Sequence, residues 1–302
     1  CLDTPPTVSS PINDLVVLED AGSTVITLSS VFTDVDNSDA SITKSIQSNS
    51  NSSLVSASIS GNTLTLDYGT DQNGSATITV RGTSNGLSVD DVFTVTITAV
   101  NDEPSFTKGS DITVLEDSGT STTTNWATSI STGPSNESGQ TPTFSVTNND
   151  NSLFSGQPAI SSSGVLTFTP ASNANGSATV TISLSDDGGT SNSGDDTYAN
   201  QTFTITVTAV NDIPVINAVS DPTAILEDAG SQTINLAGIG DGDADVTQSL
   251  TVTATSSNTS LIPNPTVTYT SDNATGSLAY TPVSDINGTA VITVTVTDNG
   301  GT

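Results

Sequence analysis

The stretch Phe93–Pro104, FTVTITAVNDEP, decides the fold, and it returns almost unchanged at Phe203–Pro214 as FTITVTAVNDIP. In the first copy Phe93, Val95, Ile97 and Ala99 alternate with Thr94, Thr96 and Thr98. A period of two sends successive side chains to opposite faces, so the run predicts a strand with one apolar and one solvated face. Asn-Asp-x-Pro then stops it, because proline has no N–H to offer a ladder. Two such stops mark the ends of two tandem units, and the rest of the chain is placed relative to them.

Pro6, Pro104 and Pro214 open three copies of one pattern. Each leads to a Glu-Asp-x-Gly bend: Leu18-Glu19-Asp20-Ala21-Gly22, Leu115-Glu116-Asp117-Ser118-Gly119 and Leu226-Glu227-Asp228-Ala229-Gly230. The Pro-to-Glu spacing varies by a single position, which is how a repeated module reads. A hairpin arm follows in each copy, with Leu64 and Leu66, Leu166 and Phe168, or Leu278 and Tyr280 in register. Asn73-Gly74, Asn175-Gly176 and Asn287-Gly288 turn the chain, glycine supplying the positive φ of a tight turn. Ala76, Ile78 and Val80 then form an inward row, as do Ala178, Val180 and Ile182, and Ala290, Ile292, Val294 and Val296. About seven short strands per copy are expected, the number of a simple antiparallel sandwich. The pattern divides the chain into repeats at 1–102, 103–212 and 213–302. The third shows no counterpart of Phe93–Val100, which reads either as a cut from a longer array or as a place for a strand donated by a neighbouring chain.

Three basic side chains stand against 32 acidic ones, with no Lys or Arg after Lys108. Nucleic acid is excluded as a partner on this balance, since phosphate binding needs Lys and Arg to replace counterions. Cations, calcium above all, suit such a surface; solubility alone is the plainer reading. There is no histidine, so the usual general base and most zinc and serine-triad schemes are absent. Paired carboxylates can serve glycoside hydrolysis, but here the acidic signals recur per copy, as structural ligands do, and the chain is expected not to be an enzyme. The single cysteine, Cys1, allows no internal disulfide; an N-terminal Cys suits a lipid anchor as well as an accidental boundary. Apolar runs are interrupted by threonine, so no transmembrane segment is expected. Trp126, the single tryptophan, reads as a core anchor or, with Tyr198, as an exposed sugar or protein contact.

The Val-Asn-Asp-x-Pro junction, the Glu-Asp-x-Gly opening, the Asn-Gly-x-Ala hairpin and the loop Asp186-Asp187-Gly188-Gly189 together resemble the cadherin-like tandem repeats of large bacterial surface proteins. Ile130-Ser131, Gly133-Pro134 and Glu137-Ser138-x-Gln140 strengthen the likeness in the second copy. The resemblance implies an all-β fold of tandem Ig-like, cadherin-like antiparallel Greek-key sandwiches in an elongated array with no helical domain. It implies a secreted or surface-bound structural, adhesive or spacer role, with calcium, adjacent repeats, surface proteins, carbohydrate or further copies of the chain as partners. A discrete carbohydrate- or protein-binding module is the alternative.

Calcium takes six to eight hard oxygens, and Asn101-Asp102 supplies two side-chain kinds in the shortest space. Glu19 resembles the cadherin-like glutamate that approaches such a junction, and the turn at Asp71 is expected at the same end. For the second junction the corresponding set is Glu116, Asn211 and Asp212, with Asp187 and, from the third repeat, Asp241 and Asp243. Asp34 and Asp36, with Asp3, suit a junction before the first repeat. At the acidic loop the repeats differ: Asp241, Asp243 and Asp245 stand in the third, Glu137 alone in the second. The competing reading is that Asn-Asp caps a turn through its own backbone and that Glu-Asp-x-Gly is a solvated bend.

Overall fold

A computed structural model describes residues 3–244 and 246–300. Cys1, read as either a lipid anchor or an accidental boundary, and Asp245 of the third acidic loop lie outside the described residues. The chain is all-β, with four short 3-10 turns and no α-helix among the described residues. No helix among the described residues is long and apolar enough to cross a membrane.

The first copy folds as β1 (Thr7–Val8), β2 (Leu15–Leu18), β3 (Thr24–Thr27), β4 (Phe32–Thr33), β5 (Thr43–Asn49), β6 (Val55–Ser60), β7 (Thr63–Tyr68), β8 (Gly74–Ser84) and β9 (Leu87–Thr98). One sheet runs β2-β9-β8-β5 and the other β3-β7-β6; β1 and β4 form a small separate ribbon. The inward row Ala76, Ile78 and Val80 meets Phe93, Val95 and Ile97 in one core with Leu64 and Leu66. All are buried because the two sheets turn their apolar faces to each other, as in an aligned sandwich. Ala99 departs from the expected row: β9 ends at Thr98 and Ala99 is exposed.

The second copy repeats the plan with β10 (Ser105–Thr107), β11 (Ile112–Leu115), β12 (Ser121–Thr123), β13 (Thr128–Ser131), β14 (Thr143–Asn148), β15 (Phe154–Ile160), β16 (Leu166–Pro170), β17 (Gly176–Ser185) and β18 (Thr197–Thr208). Its sheets are β11-β18-β17-β14 and β12-β16-β15. Trp126 is buried in this core, its ring 4.3 Å from that of Phe203, and its indole N–H donates to the Ser110 carbonyl at 3.0 Å. It is a core anchor, which removes it as a sugar platform. Tyr198 packs edge-on against Phe106.

The sheets are antiparallel as expected, except at one edge of each of the first two sandwiches. β2 runs parallel to β9, Leu15 facing Val95 through Leu18 facing Thr98, and β11 runs parallel to β18. The opening strand and the closing strand cross the sheet in the same direction because the chain enters a sandwich at one end and leaves it at the other.

The third copy contains β19 (Gln232–Ala237), β20 (Thr251–Ser256), β21 (Thr266–Thr268), β22 (Thr275–Tyr280) and β23 (Ile292–Thr297). β19-β22-β21 form one sheet and β20-β23 a two-stranded ribbon. Its core of Leu236, Ile239, Leu250, Val252, Leu278 and Tyr280 is smaller, with Ile292, Val294 and Val296 only half-buried against it. The segment matching β2 and β11 forms no strand, and Leu226 is 83% exposed. Among the described residues no strand lies beside this segment, so it forms no ladder.

Candidate cation site at the junctions

The first junction is built around Glu19. β2 delivers it to the end of the sheet, where its N–H donates to the Thr98 carbonyl at 2.9 Å. Its Oε1 accepts the Val100 N–H at 2.6 Å, and its Oε2 accepts from the Asn136 amide at 3.2 Å. A carboxylate thus spans the step from one sandwich to the next. Asp20, at φ +57°, accepts the Asp71 N–H at 3.1 Å, which holds the Glu-Asp-x-Gly bend against the Asp71 turn.

From the second sandwich comes Glu137, at the end of a short 3-10 turn, Ser135–Glu137. It is buried, and its Oε1 accepts the Asp102 N–H at 2.9 Å. Gly133 makes room for it: a Cβ there would lie 1.8 Å from Glu137 Oε2, at a φ of +134° that L side chains rarely adopt. Carboxylate oxygens of Glu19, Asp102 and Glu137 lie within 4.8 Å of one another, as do those of Asp20, Asp71 and Asp102. Asp102 belongs to both groups. Asp102 Oδ2 and Glu137 Oε2 are buried with no hydrogen-bond partner.

Such a gathering is unfavourable for anions. Burial pushes the Asp102 carboxyl above its ordinary range, and the charges of Asp20 and Asp71 add to the shift. Burial likewise raises Glu137, the Asp102 N–H opposing and the charges of Asp102, Asp186 and Glu19 adding. Glu19 is raised by burial against the Val100 hydrogen bond, with Asp102, Asp20 and Asp71 contributing. Buried acceptors without donors cost free energy unless something positive meets them. The hard-oxygen donor set and the two unpartnered oxygens fit a calcium ion.

The structure therefore brings Glu19, Asp71 and Asp102 together and adds Asp20 and Glu137, which the sequence reading left off its ligand set. Asp20 carried a signal, standing beside Glu19 in each repeated bend. Asn101 is used otherwise: its amide donates to Asp186 Oδ1 at 3.0 Å and to the Asp195 carbonyl at 2.7 Å, and its Oδ1 accepts from Gln140 at 2.7 Å. Asp187 lies at this junction and not, as expected, at the second. It accepts the Thr141 N–H at 2.8 Å, in the loop that packs on Asn101. β17 carries the chain from the second junction back to the first before that loop begins, so the loop can only face the first.

The second junction has the same frame. Glu116 Oε1 accepts the Val210 N–H at 2.6 Å, and Gln248 donates to Asn211 Oδ1 as Gln140 does to Asn101. The Asn211 amide donates to Asp298 at 3.4 Å. Asp241 accepts the Gln248 N–H at 3.0 Å, and Asp243 Oδ2 accepts from the Gln248 side chain at 2.8 Å. Glu116 Oε2 and Asp212 Oδ2 are buried without a hydrogen-bond partner. Asn173 stands where the first junction has Asp71, donating its N–H to Asp117 at 3.4 Å. Ahead of the first sandwich, Asp34 accepts from the backbone of Asp36 and Asn37, and the Asn37 amide donates to Asp3 at 2.9 Å.

The family described as Bacterial Ig domain matches residues 211–302. No curated protein matches the chain. Among solved structures, PcdhgB3 EC1-4 is similar at 18% identity and a TM-score of 0.48, over 98% of this chain and 72% of that one. Human protocadherin-24 EC1-2 is similar at 14% identity and a TM-score of 0.45, over 68% and 100%. Protocadherin gamma B2 extracellular cadherin domains 1-5 give 16% identity and a TM-score of 0.47, over 98% and 60%.

Proposed function

We propose that the chain is a non-enzymatic, extracellular structural or adhesive array of three repeats, 1–102, 103–212 and 213–302, whose junctions are stiffened by calcium. The observation that carries this reading is the convergence of Glu19, Asp102 and Glu137, contributed from both sides of the first junction, with buried oxygens on Asp102 and Glu137 that meet no donor. Glu19, Asp20, Asp71, Asp102 and Glu137 would hold the ion there. Glu116 and Asp212, with Asp241 and Asp243 nearby, would serve the second junction. Bound calcium supplies positive charge to a site where carboxylates otherwise repel.

The chain's own residues do the rest. Glu19 and Glu116 tie the closing strand to the linker through the Val100 and Val210 N–H groups. The linker Ala99–Pro104 is too short and too hydrogen-bonded to act as a flexible tether. A surface location suits a chain this acidic that carries an Ig-family match. The alternative of a discrete sugar-binding module loses its main support with Trp126 buried. Calorimetric titration with calcium, paired with solution scattering in calcium and in chelator, tests the proposal. Bound calcium with a narrower distribution of interdomain angles is expected; no binding at millimolar ion with identical scattering curves overturns it.

A further inference from the structure

In the first sandwich β6 is the outermost strand of the sheet β3-β7-β6. It pairs with β7 without a bulge, from Val55 facing Tyr68 to Ser60 facing Thr63. Gly61-Asn62 joins the two strands, and Gly61, at φ +61°, suits the first central position of a two-residue hairpin turn. Such a turn makes Ser60–Thr63 a hydrogen-bonded pair, and bonded and non-bonded pairs then alternate along the strands. Ser56, Ser58 and Ser60 therefore commit their main chain to β7, while Val55, Ala57 and Ile59 turn theirs to the free edge. Val55 agrees with this phase: its N–H donates outward to the Asn51 carbonyl at 3.1 Å, and its carbonyl accepts from the Asn49 amide at 2.7 Å. Among the described residues nothing caps Ala57 or Ile59 in the same way.

A bare edge invites another strand, and chains blunt it with proline, charge or a bulge. β6 carries none of these. Its counterpart in the second sandwich, β15, contains Pro158 and is broken by register shifts on both sides of Gly156. β5, the strand before β6, carries Lys44 and shifts register between Ile46 and Ser48. β14 is regular, but its Asn148 amide donates to Gln157 Oε1 of β15 at 2.9 Å, a bond that ties one edge strand to the other. β6 and the residues around it, 45–66, hold no charged side chain in a chain that has 32 acidic ones. Two such edges can meet without setting carboxylates directly against each other.

We propose that β6 is a self-association edge, through which two copies of the chain pair antiparallel about a two-fold axis at Ser58. In that register Ala57 of each copy faces Ile59 of the other, and each pair exchanges both of its N–H···O bonds. All the outward main-chain groups of Ala57 and Ile59 are then satisfied. A shift by one residue would set them against main chain already bonded to β7, and a shift by two would set one of them against the capped Val55 or the Gly61 turn. With the axis at Ser58, the capped end at Val55 falls opposite Gly61 of the second copy, which has no side chain and open space around it. The two β3-β7-β6 sheets continue as one, with main-chain bonds supplying the affinity, and the contact is isologous, each copy offering the same residues. It uses none of the junction carboxylates and stands apart from the calcium reading.

The test uses the full chain with Cys1→Ser, so that an introduced cysteine is the only thiol. Ser58 would face Ser58 of the second copy at the close spacing of a non-hydrogen-bonded pair, about 4.5 Å between Cα atoms, within disulfide reach. Ser58→Cys should give a disulfide-linked dimer under mild oxidation. Ser56→Cys and Ser60→Cys should each stay monomeric alone and cross-link when mixed, because Ser56 faces Ser60. In sedimentation velocity the uncrosslinked parent should show a monomer–dimer equilibrium that strengthens with salt, as screening relieves the repulsion between chains of net charge −29. Ala57→Pro removes an outward N–H that β7 does not use, at an edge position that tolerates proline, and should weaken the dimer roughly tenfold or more. Ser58→Glu, at an exposed side chain, should weaken it as well by setting two carboxylates face to face. A parent that stays monomeric at every concentration and salt, Ser56→Cys linking alone as readily as Ser58→Cys, or a dimer indifferent to both Ala57→Pro and Ser58→Glu overturns the proposal.

Discussion

Glu137 Oε1 accepts the backbone N–H of Asp102 at 2.9 Å, so a residue of the second sandwich holds the linker by its main chain. The other oxygen of Glu137 is left buried without a donor. One carboxylate is thus both a brace and a source of repulsion.

That double role makes Glu137→Gln informative. The amide can still accept from Asp102 but carries no charge. Calcium affinity at the first junction should fall roughly tenfold or more, since carboxylate count tunes calcium sites. In chelator the variant should resist protease at the junction better than the parent, because the buried like charges of Glu19 and Asp102 lose a neighbour. Opposite shifts in the two conditions are the expected outcome of paired proteolysis; shifts of one sign in both would contradict it.

The pH dependence follows from the raised carboxyls of Glu19, Asp102 and Glu137. A carboxyl whose pKa is raised by folding binds its proton more tightly in the folded chain. Its contribution to stability is complete below the unfolded value, near 4, and is lost as pH rises through the raised value. In chelator the first junction should therefore be cut more slowly at about pH 4 than at pH 7. In millimolar calcium the order reverses, because protons displace the ion. Asp34, held low first by its Ser84 hydrogen bond, and Asp90, held low by Arg81, act in the other direction within the first sandwich. Cleavage mapped to residues 99–104 isolates the junction from these.

Asp212→Ala should loosen the second junction and spare the first. Asp212 Oδ2 and Glu116 Oε2 are buried there without donors, and none of the first junction's acids depends on them. Limited proteolysis in calcium should show new cutting at 209–214 with 99–104 unchanged.

Ile78 and Ile292 occupy the same register in the first and third copies, yet Ile78 is fully buried and Ile292 half-buried. Ile78→Ala should cost about 3 kcal/mol, and Ile292→Ala about 1 kcal/mol, since a half-buried side chain gives up less apolar contact than a fully buried one. Denaturant unfolding of the two variants measures the difference.

Most of the fold is legible in the sequence because period-two rows such as Phe93, Val95 and Ile97 state which side chains go inside. Strand direction is not written there: alternation reads the same for a parallel and an antiparallel neighbour, so the pairing of β2 with β9 had to be seen. At the site, Glu19 and Asp102 are legible because their signals repeat. Glu137 escapes that test, since it sits on a 3-10 turn whose sequence occurs in one copy alone. Asp187 fell to the wrong junction because a loop's end of the sandwich depends on how many strands precede it, which local spacing does not count.

The parallel pairing of opening and closing strands also sets how the chain bears tension. In the first two copies the strand that receives pull from upstream and the strand that passes it downstream lie side by side and point the same way. Traction on the two ends slides them past each other, loading the rungs Leu15–Val95 to Leu18–Thr98 at once instead of peeling them singly. Glu19 and Glu116 clamp the downstream end of that shear patch with their bonds to Val100 and Val210. The same strands that close each sandwich therefore make it the element that resists being drawn out.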